Sequence, residues 1–352
     1  MKITKSFIAI VLIIALLLCA CGPVPSKEAV STEFPKFPYK KIIIDTDTGA
    51  DDASAIILAA MSKSVDILGV TTLVGNVDLE QSTKNALMAL EIAGSDAPVY
   101  RGAATTYSGR EIHAYSVYGQ DGMGDADLIH PKGTAQEKDA VSFILETVAA
   151  NPGEVEIVSI GPATNIANAI DRNPETMKKV RRIWSMGTSG LGPGNATPVA
   201  EFNVYHDAEA YRVMLESGIP ITVVGLDVCG GRTRLTDQQF EALKNLNDVG
   251  YFIATSFRKL REFDAANGSP DKSMDCDGCA MMCCLDPDFT TESIPVYGSC
   301  ITEPGETYGQ VIFYKKGFTY DVAGNDYDYH VALTENVDRT KFYEWFRAVI
   351  QE

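Results

Sequence analysis

Ile42-Ile43-Ile44-Asp45-Thr46-Asp47-Thr48-Gly49-Ala50-Asp51-Asp52 is the stretch on which the reading of this chain turns. The apolar run from Lys41 to Asp45 suits a strand buried on both faces, as strands of parallel sheets are. Asp51 and Asp52 suit the first turn of a helix over residues 51–62, where carboxylates meet the positive end of the helix dipole. Four carboxylates therefore fall within eight residues, Asp45 to Asp52, at the carboxyl end of the first strand, the edge at which open α/β sheets bind ligands. Anions so crowded repel one another unless something neutralises them, and a hard divalent cation with oxygen ligands does so. Helix capping accounts for Asp51 and Asp52 but not for Asp45 and Asp47. Gly49 is read as the residue that permits a sharp turn between strand and helix.

Outward from this motif, strand-like and helix-like segments alternate. Val65–Leu73 reads as a strand and Asp78–Ala93 as a helix with Asp78 at its N-cap. Glu156–Ile160 is a strand, Ala163–Asp171 a helix, Arg182–Met186 a strand, Asp207–Ser217 a helix closed by Gly218, and Ile219–Leu226 a strand. The alternation predicts an α/β fold: an open, mostly parallel, Rossmann-like sheet with helices on both faces. Two helices, Asp237–Leu246 and Tyr251–Phe263, follow. Short strands are expected near 294–301, 308–315 and 329–333, then a last helix over Arg339–Ile350. The Gly/Pro-rich stretch 187–198 lies between strand and helix and reads as an active-site loop.

The first 38 residues stand apart. Lys2 and Lys5 precede an uncharged apolar run from Phe7 to Leu18, too short for a comfortable membrane span and suited to a secretory signal over residues 1–20. Leu18-Cys19-Ala20-Cys21 resembles the lipobox of bacterial lipoproteins. That resemblance implies cleavage before Cys21, lipid on Cys21, and an extracytoplasmic protein anchored to the membrane through that lipid. Residues 21–38 are proline-rich and aperiodic and read as a tether, leaving 39–352 as one domain. The formal net charge of −17 excludes a basic surface for nucleic acid polymers. In Cys276-x-x-Cys279-x-x-x-Cys283-Cys284 the spacing invites a zinc site. The apolar run Cys279–Leu285 without a nearby histidine points instead to a buried helix face. Sequence fixes no disulfide pairing among Cys229, Cys276, Cys279, Cys283, Cys284 and Cys300.

Two families share part of the acidic motif. Haloacid-dehalogenase-like phosphatases place Asp-x-Asp after an apolar strand, which would make Asp45 a nucleophile, but their later acidic motif has only the poor counterpart Gly124-Asp125-Ala126-Asp127. The motif Asp-x-Asp-x-Gly-x-Asp-Asp of the inosine–uridine nucleoside hydrolases is matched in full by Asp45 through Asp52. The resemblance extends through Gly75-Asn76-Val77, Gly161-Pro162-Ala163-Thr164-Asn165, Asn195-Ala196-Thr197-Pro198-Val199-Ala200-Glu201-Phe202-Asn203 and Cys276-Asp277-Gly278, in the family's order.

What this resemblance implies is a calcium-dependent N-ribohydrolase acting on ribonucleosides or related ribosides. Its Ca2+ ligands here would be Asp47, Asp52, Asp277 and the backbone carbonyl of Ile160, with Asp47 as general base. Asp51, Asn76, Asn195, Glu201 and Asn203 would grip the ribose. The family's homodimers or homotetramers are the implied assembly. On the side of the leaving base the chain departs from the pattern. Cys276 and Tyr118 stand where many members carry histidines, and the Gly187–Gly194 loop is one residue longer than the usual spacing. Tyr118, Met186, Phe202 and Cys276 are the candidates there, with His113, His130 and His206 added by residue type alone. A protein of this design that had lost its acid would be a lipid-anchored riboside-binding protein with little turnover.

Overall fold

The computed structural model describes residues 39–317 and 327–351. The signal segment, Cys21 and the tether lie outside the described residues. The strands are β1 (Lys40–Thr46), β2 (Val65–Thr72), β3 (Val99–Arg101), β4 (Val155–Ser159), β5 (Arg182–Met186), β6 (Ile221–Val224), β7 (Leu235–Thr236), β8 (Lys272–Ser273), β9 (Thr290–Cys300), β10 (Val311–Lys315) and β11 (Val331–Val337). The helices are α1 (Ala50–Met61), α2 (Leu79–Ile92), α3 (Tyr115–Tyr118), α4 (Ala140–Ala150), α5 (Thr164–Arg172), α6 (Pro174–Met177) and α7 (Phe202–His206). They continue with α8 (Ala208–Leu215), α9 (Leu226–Arg232), α10 (Asp237–Lys244), α11 (Asp248–Ser256), α12 (Arg258–Ala266), α13 (Cys276–Leu285) and α14 (Arg339–Gln351).

One nine-stranded sheet runs β10-β9-β11-β6-β5-β4-β1-β2-β3. From β11 to β3 every neighbouring pair is parallel; β9 alone runs antiparallel to its neighbours β11 and β10. The expected α/β architecture is therefore present, with an antiparallel hairpin added at one edge. The chain winds one way from β1 to β3 and the other way from β4 to β11, so a crevice opens at the carboxyl ends of β1 and β4. Asp45 pairs with Ser159 across these strands, and the Ile160 amide donates to the Asp45 carbonyl at 2.9 Å. That register delivers Asp47 and Ile160 side by side beyond the sheet edge.

Successive strand residues face opposite sides, which is why an unbroken apolar run such as Ile42-Ile43-Ile44 is wholly buried. Ile43, Ile157, Ile183 and Val223 pack with Ile166 of α5 and Tyr211 and Met214 of α8 in one core cluster. On the other face α13 packs against α1, β4 and β5.

Several expectations change in detail. Gly49 is the N-cap of α1 with φ −96° and ψ −161°, a conformation open to any residue. Its value is space, since a Cβ there would stand 3.1 Å from the Asn76 side-chain nitrogen. The single helix expected over Tyr251–Phe263 is two, α11 and α12, joined at the wholly buried Phe257. The Ser256 hydroxyl donates to the Ile253 carbonyl at 2.8 Å, a back-bond of the kind that bends helices. The cysteines Cys279, Cys283 and Cys284 are buried on α13, all six described cysteines are free, and no metal-holding cluster among the described residues includes one.

Candidate active site

The crevice edge carries the acids on rigid elements. Asp47 follows β1 and is wholly buried. Its Oδ2 accepts from the Asn76 amide at 2.6 Å, while its Oδ1 has no hydrogen-bond partner. Two glycines make room for it: a Cβ on Gly75 would lie 2.0 Å from Asp47 Oδ2, and one on Gly161 would lie 2.7 Å from Oδ1. Asp52 is both cap and site residue. Its Oδ2 accepts from the Gly49 amide at 2.9 Å and from Asn76 Nδ2 at 3.1 Å, and its Oδ1 accepts from Thr46 Oγ1 at 2.6 Å. Asp51, one residue earlier on the helix, receives the Tyr118 phenol and keeps an unpartnered Oδ1. Asp277 lies in the first turn of α13 and is buried.

Carboxylate oxygens of Asp51, Asp52 and Asp277 lie within 4.8 Å of one another, all buried. This convergence includes Asp51, which the resemblance assigns to ribose, with Asp47 beside it. Burial, then the neighbouring Asp52 charge, pushes Asp47 and Asp51 well above the usual carboxylate range; burial, then the Asp51 and Asp52 charges, does the same to Asp277. Unpartnered buried oxygens in an all-oxygen donor set fit a hard divalent cation. The Ile160 carbonyl, a fourth oxygen of the expected set, lines the same cleft and accepts from Asn203 Nδ2 at 3.0 Å.

Above this floor the cleft is lined by Asn76, Asn195, Glu201 and Asn203 on its polar side. Glu201 caps α7, accepting from the Asn203 and Val204 amides at 3.0 and 3.1 Å, and burial raises its carboxyl to about 7. Exposed Asn195 comes from the irregular loop before α7 and holds the Phe202 amide at 2.8 Å. Met186, at the end of β5, lines the cleft despite the longer loop that follows it, 3.7 Å from Asn203 Nδ2. Phe202, Tyr118 and Cys276 line it too. The ribose and leaving-group residues implied by the resemblance thus line one cleft together with Ile160 and Asp277, and Asp52 meets Asp51 and Asp277 at its floor.

Three residues behave otherwise than the motif alone suggests. Asp45 does not line the cleft; its Oδ1 accepts from Thr71 Oγ1 at 2.6 Å and Asn165 Nδ2 at 2.8 Å inside the sheet edge. Buried there, it cannot serve as a phosphatase nucleophile. His206 is wholly buried behind Phe202, and burial lowers its imidazole to about 4. His130 is on the surface beside Asp127. Sequence reasoning missed the apolar wall of Val117, Leu260, Phe263 and Met274, and it missed Asp275. That carboxyl is wholly buried, receives the Ser54 hydroxyl on both oxygens, caps α13 at the Gly278 amide (2.9 Å) and is raised to about 7 by burial.

An α/β sheet whose crevice combines a buried carboxylate floor with Asn76, Asn195 and Asn203 has the donor set to hold a hard divalent cation beside groups able to hydrogen-bond hydroxyls. A model of the inosine-uridine preferring nucleoside hydrolases matches residues 42–344. Non-specific ribonucleoside hydrolase RihC of Escherichia coli is 33% identical over 309 residues, 88% of this chain and 97% of that protein. Uridine nucleosidase 1 of Arabidopsis thaliana is 41% identical over 209 residues, 59% of this chain and 62% of that protein. The solved plant nucleoside hydrolase PpNRh1 superposes with a TM-score of 0.83 at 29% identity, covering 89% of this chain and 99% of that one. This chain belongs to the inosine-uridine preferring nucleoside hydrolase family and is an N-glycosyl hydrolase.

Proposed function

We propose that this protein hydrolyses ribonucleosides with a bound calcium ion, releasing ribose and free base for salvage outside the cytoplasmic membrane, to which lipid on Cys21 anchors it. The observation that carries the catalytic reading is the convergence of Asp51, Asp52 and Asp277 under a cleft whose polar rim is Asn76, Asn195, Glu201 and Asn203. Asp47, Asp52, Asp277 and the Ile160 carbonyl would hold the ion, with Asp51 in reach. Calcium takes six to eight oxygen ligands in flexible geometry, and when bound it orients and acidifies a water. Asp47 is the general base: one oxygen is pinned by the Asn76 amide and the other is free to accept a proton. Cleavage builds positive charge on the ribosyl ring, and the carboxylate floor stabilises it electrostatically. The amides and Glu201 hydrogen-bond ribose hydroxyls, so a 2′-deoxy substrate leaves buried polar groups unpaired and is rejected.

The test is release of reducing sugar from a panel of ribonucleosides by the purified protein, with calcium and with chelator. Calcium-dependent release from ribonucleosides and not from their 2′-deoxy forms is expected. Tight nucleoside binding without release would replace the enzyme by a riboside-binding protein. For the anchor, Cys21→Ala should move the protein from the membrane to the soluble extracytoplasmic fraction; recovery of the wild-type chain in the cytosol, without lipid, would sink that part of the reading.

A further inference from the structure

The leaving-group half of the cleft differs in kind from the ribose half. Its wall is Val117, Leu260, Phe263, Met274 and Phe202, none of which has a side-chain hydrogen-bond donor. The two groups there that carry a proton each face a neighbour: the Tyr118 phenol the Asp51 carboxylate, and the Cys276 thiol that of buried Cys229. Among the described residues no histidine, lysine or arginine lines the cleft. His113 stands outside it with Nδ1 at 3.0 Å from the Gly75 carbonyl, His206 is sealed behind Phe202, His130 is exposed, and His330 lies 2.8 Å from the Leu215 carbonyl. The carboxyl groups that line the cleft, Asp51, Asp277 and Glu201, lie on its floor and on the side of the amides.

A neutral nucleoside loses its base as an anion, which needs a proton as the bond breaks. A riboside whose glycosidic nitrogen belongs to a positively charged ring does not. The C1′–N bond breaks with its electron pair going to the ring, the ring leaves neutral, water supplies hydroxyl to C1′, and the one proton left over goes to the general base. We propose that the preferred substrates are ribosides with a cationic aglycone, of the N-alkylpyridinium or N7-alkylpurinium class. The apolar, aromatic wall of Phe202, Phe263 and Leu260 seats a flat ring without asking for an edge of donors and acceptors, and its rings attract a cation over their faces. This rests on the hydrolase reading of the same site.

The experiment compares the calcium-loaded protein on two matched sets: nicotinamide riboside against uridine, and 7-methylinosine against inosine. A positioned general acid would speed the neutral substrates alone, by about 10²- to 10⁴-fold, and so compress the preference; its lack predicts that kcat/KM for each cationic member exceeds its neutral partner by about their full ratio of uncatalysed rates. Leu260→Lys, which sets a positive charge in the wall, should narrow that preference, and the narrowing is read within one protein. Neutral nucleosides turned over as well as or better than the cationic ones would overturn the preference and leave the hydrolase reading standing. Hydrolysis of none of the four, with nucleoside binding intact, would overturn the hydrolase reading and this one with it.

Discussion

At the scale of single residues the site is built by making room for Asp47. Gly75 and Gly161 leave free the space its two oxygens occupy, since a Cβ on either would meet one of them. Gly75→Ala is expected to displace the carboxylate and cost far more activity than stability, read as a collapse of kcat with a thermal midpoint that moves by a few degrees. Asp47→Asn keeps the shape and removes the proposed base; kcat should fall by about 10²- to 10⁴-fold while the far-ultraviolet circular dichroism stays unchanged. Retained turnover in Asp47→Asn would give the base to another group. The acidic residues were legible in the sequence because four anions in eight positions have no bland explanation in a packed core. Asp45 shows the limit of that logic. It belongs to the same motif but points into the sheet edge, bonded to Thr71 and Asn165, and strand direction rather than composition decides this. Leu260, Phe263 and Met274 were not legible, because an apolar residue facing a cleft and one facing a core look the same in sequence.

Among the elements, the break between α11 and α12 has the largest consequence for function. The periodic pattern from Tyr251 to Phe263 fits one helix. The turn at Phe257 instead redirects α12 so that Leu260 and Phe263 wall the cleft. Arg258, the first residue of α12, fastens this arrangement by donating from Nε at 3.1 Å and Nη2 at 2.5 Å to the Gly124 carbonyl, with a further contact to the Asp125 carbonyl at 3.2 Å. These bonds tie α12 to the loop that follows Tyr118. Arg258→Ala loses charge-assisted bonds of about 1.5–3 kcal/mol in a buried setting, less at this partly exposed one. The expected result is a rise in KM with a smaller change in kcat, because under the proposed function this wall would seat the leaving group and Arg258 does not touch the residues proposed for ribose. A drop in kcat at constant KM would mean that α12 acts on the chemistry itself. The strand–helix alternation was readable from β1 to α2 and from β4 to β6, where the strands are apolar runs bounded by turn residues, but three-residue β3 and helix α4 between those stretches were not read. Helix breaks were not, since a serine back-bond inside an apolar pattern leaves no local signature.

For the whole molecule, the concentration of buried acids sets how stability depends on pH and metal. Burial raises Asp45 to about 6, Asp275 to about 7 and Glu201 to about 7, and with their neighbours' charges it pushes Asp47, Asp51 and Asp277 up as well. In the unfolded chain these groups titrate near 4. Across the window from about pH 4 to 7 the native state therefore binds more protons than the unfolded one, and stability falls as pH rises through it. His206, lowered to about 4 by burial, works the other way between about pH 4 and 6.5, but it is one group against several. A divalent cation reverses the trend, because it binds the deprotonated carboxylates and competes with protons for them. At a concentration about 100-fold above its dissociation constant, a ligand adds about 2.7 kcal/mol to the native state, on the order of 5 °C in thermal midpoint for a domain of this size. The expected outcome is a midpoint in chelator that declines from pH 5 to pH 8, and a calcium-induced increase that grows over the same range. Thermal unfolding followed at four pH values, each with chelator and with calcium, reads both slopes at once. A calcium increment that is constant with pH would separate the ion from these carboxylates, and a chelated protein that grows more stable from pH 5 to pH 8 would mean that the acids are already neutralised within the fold.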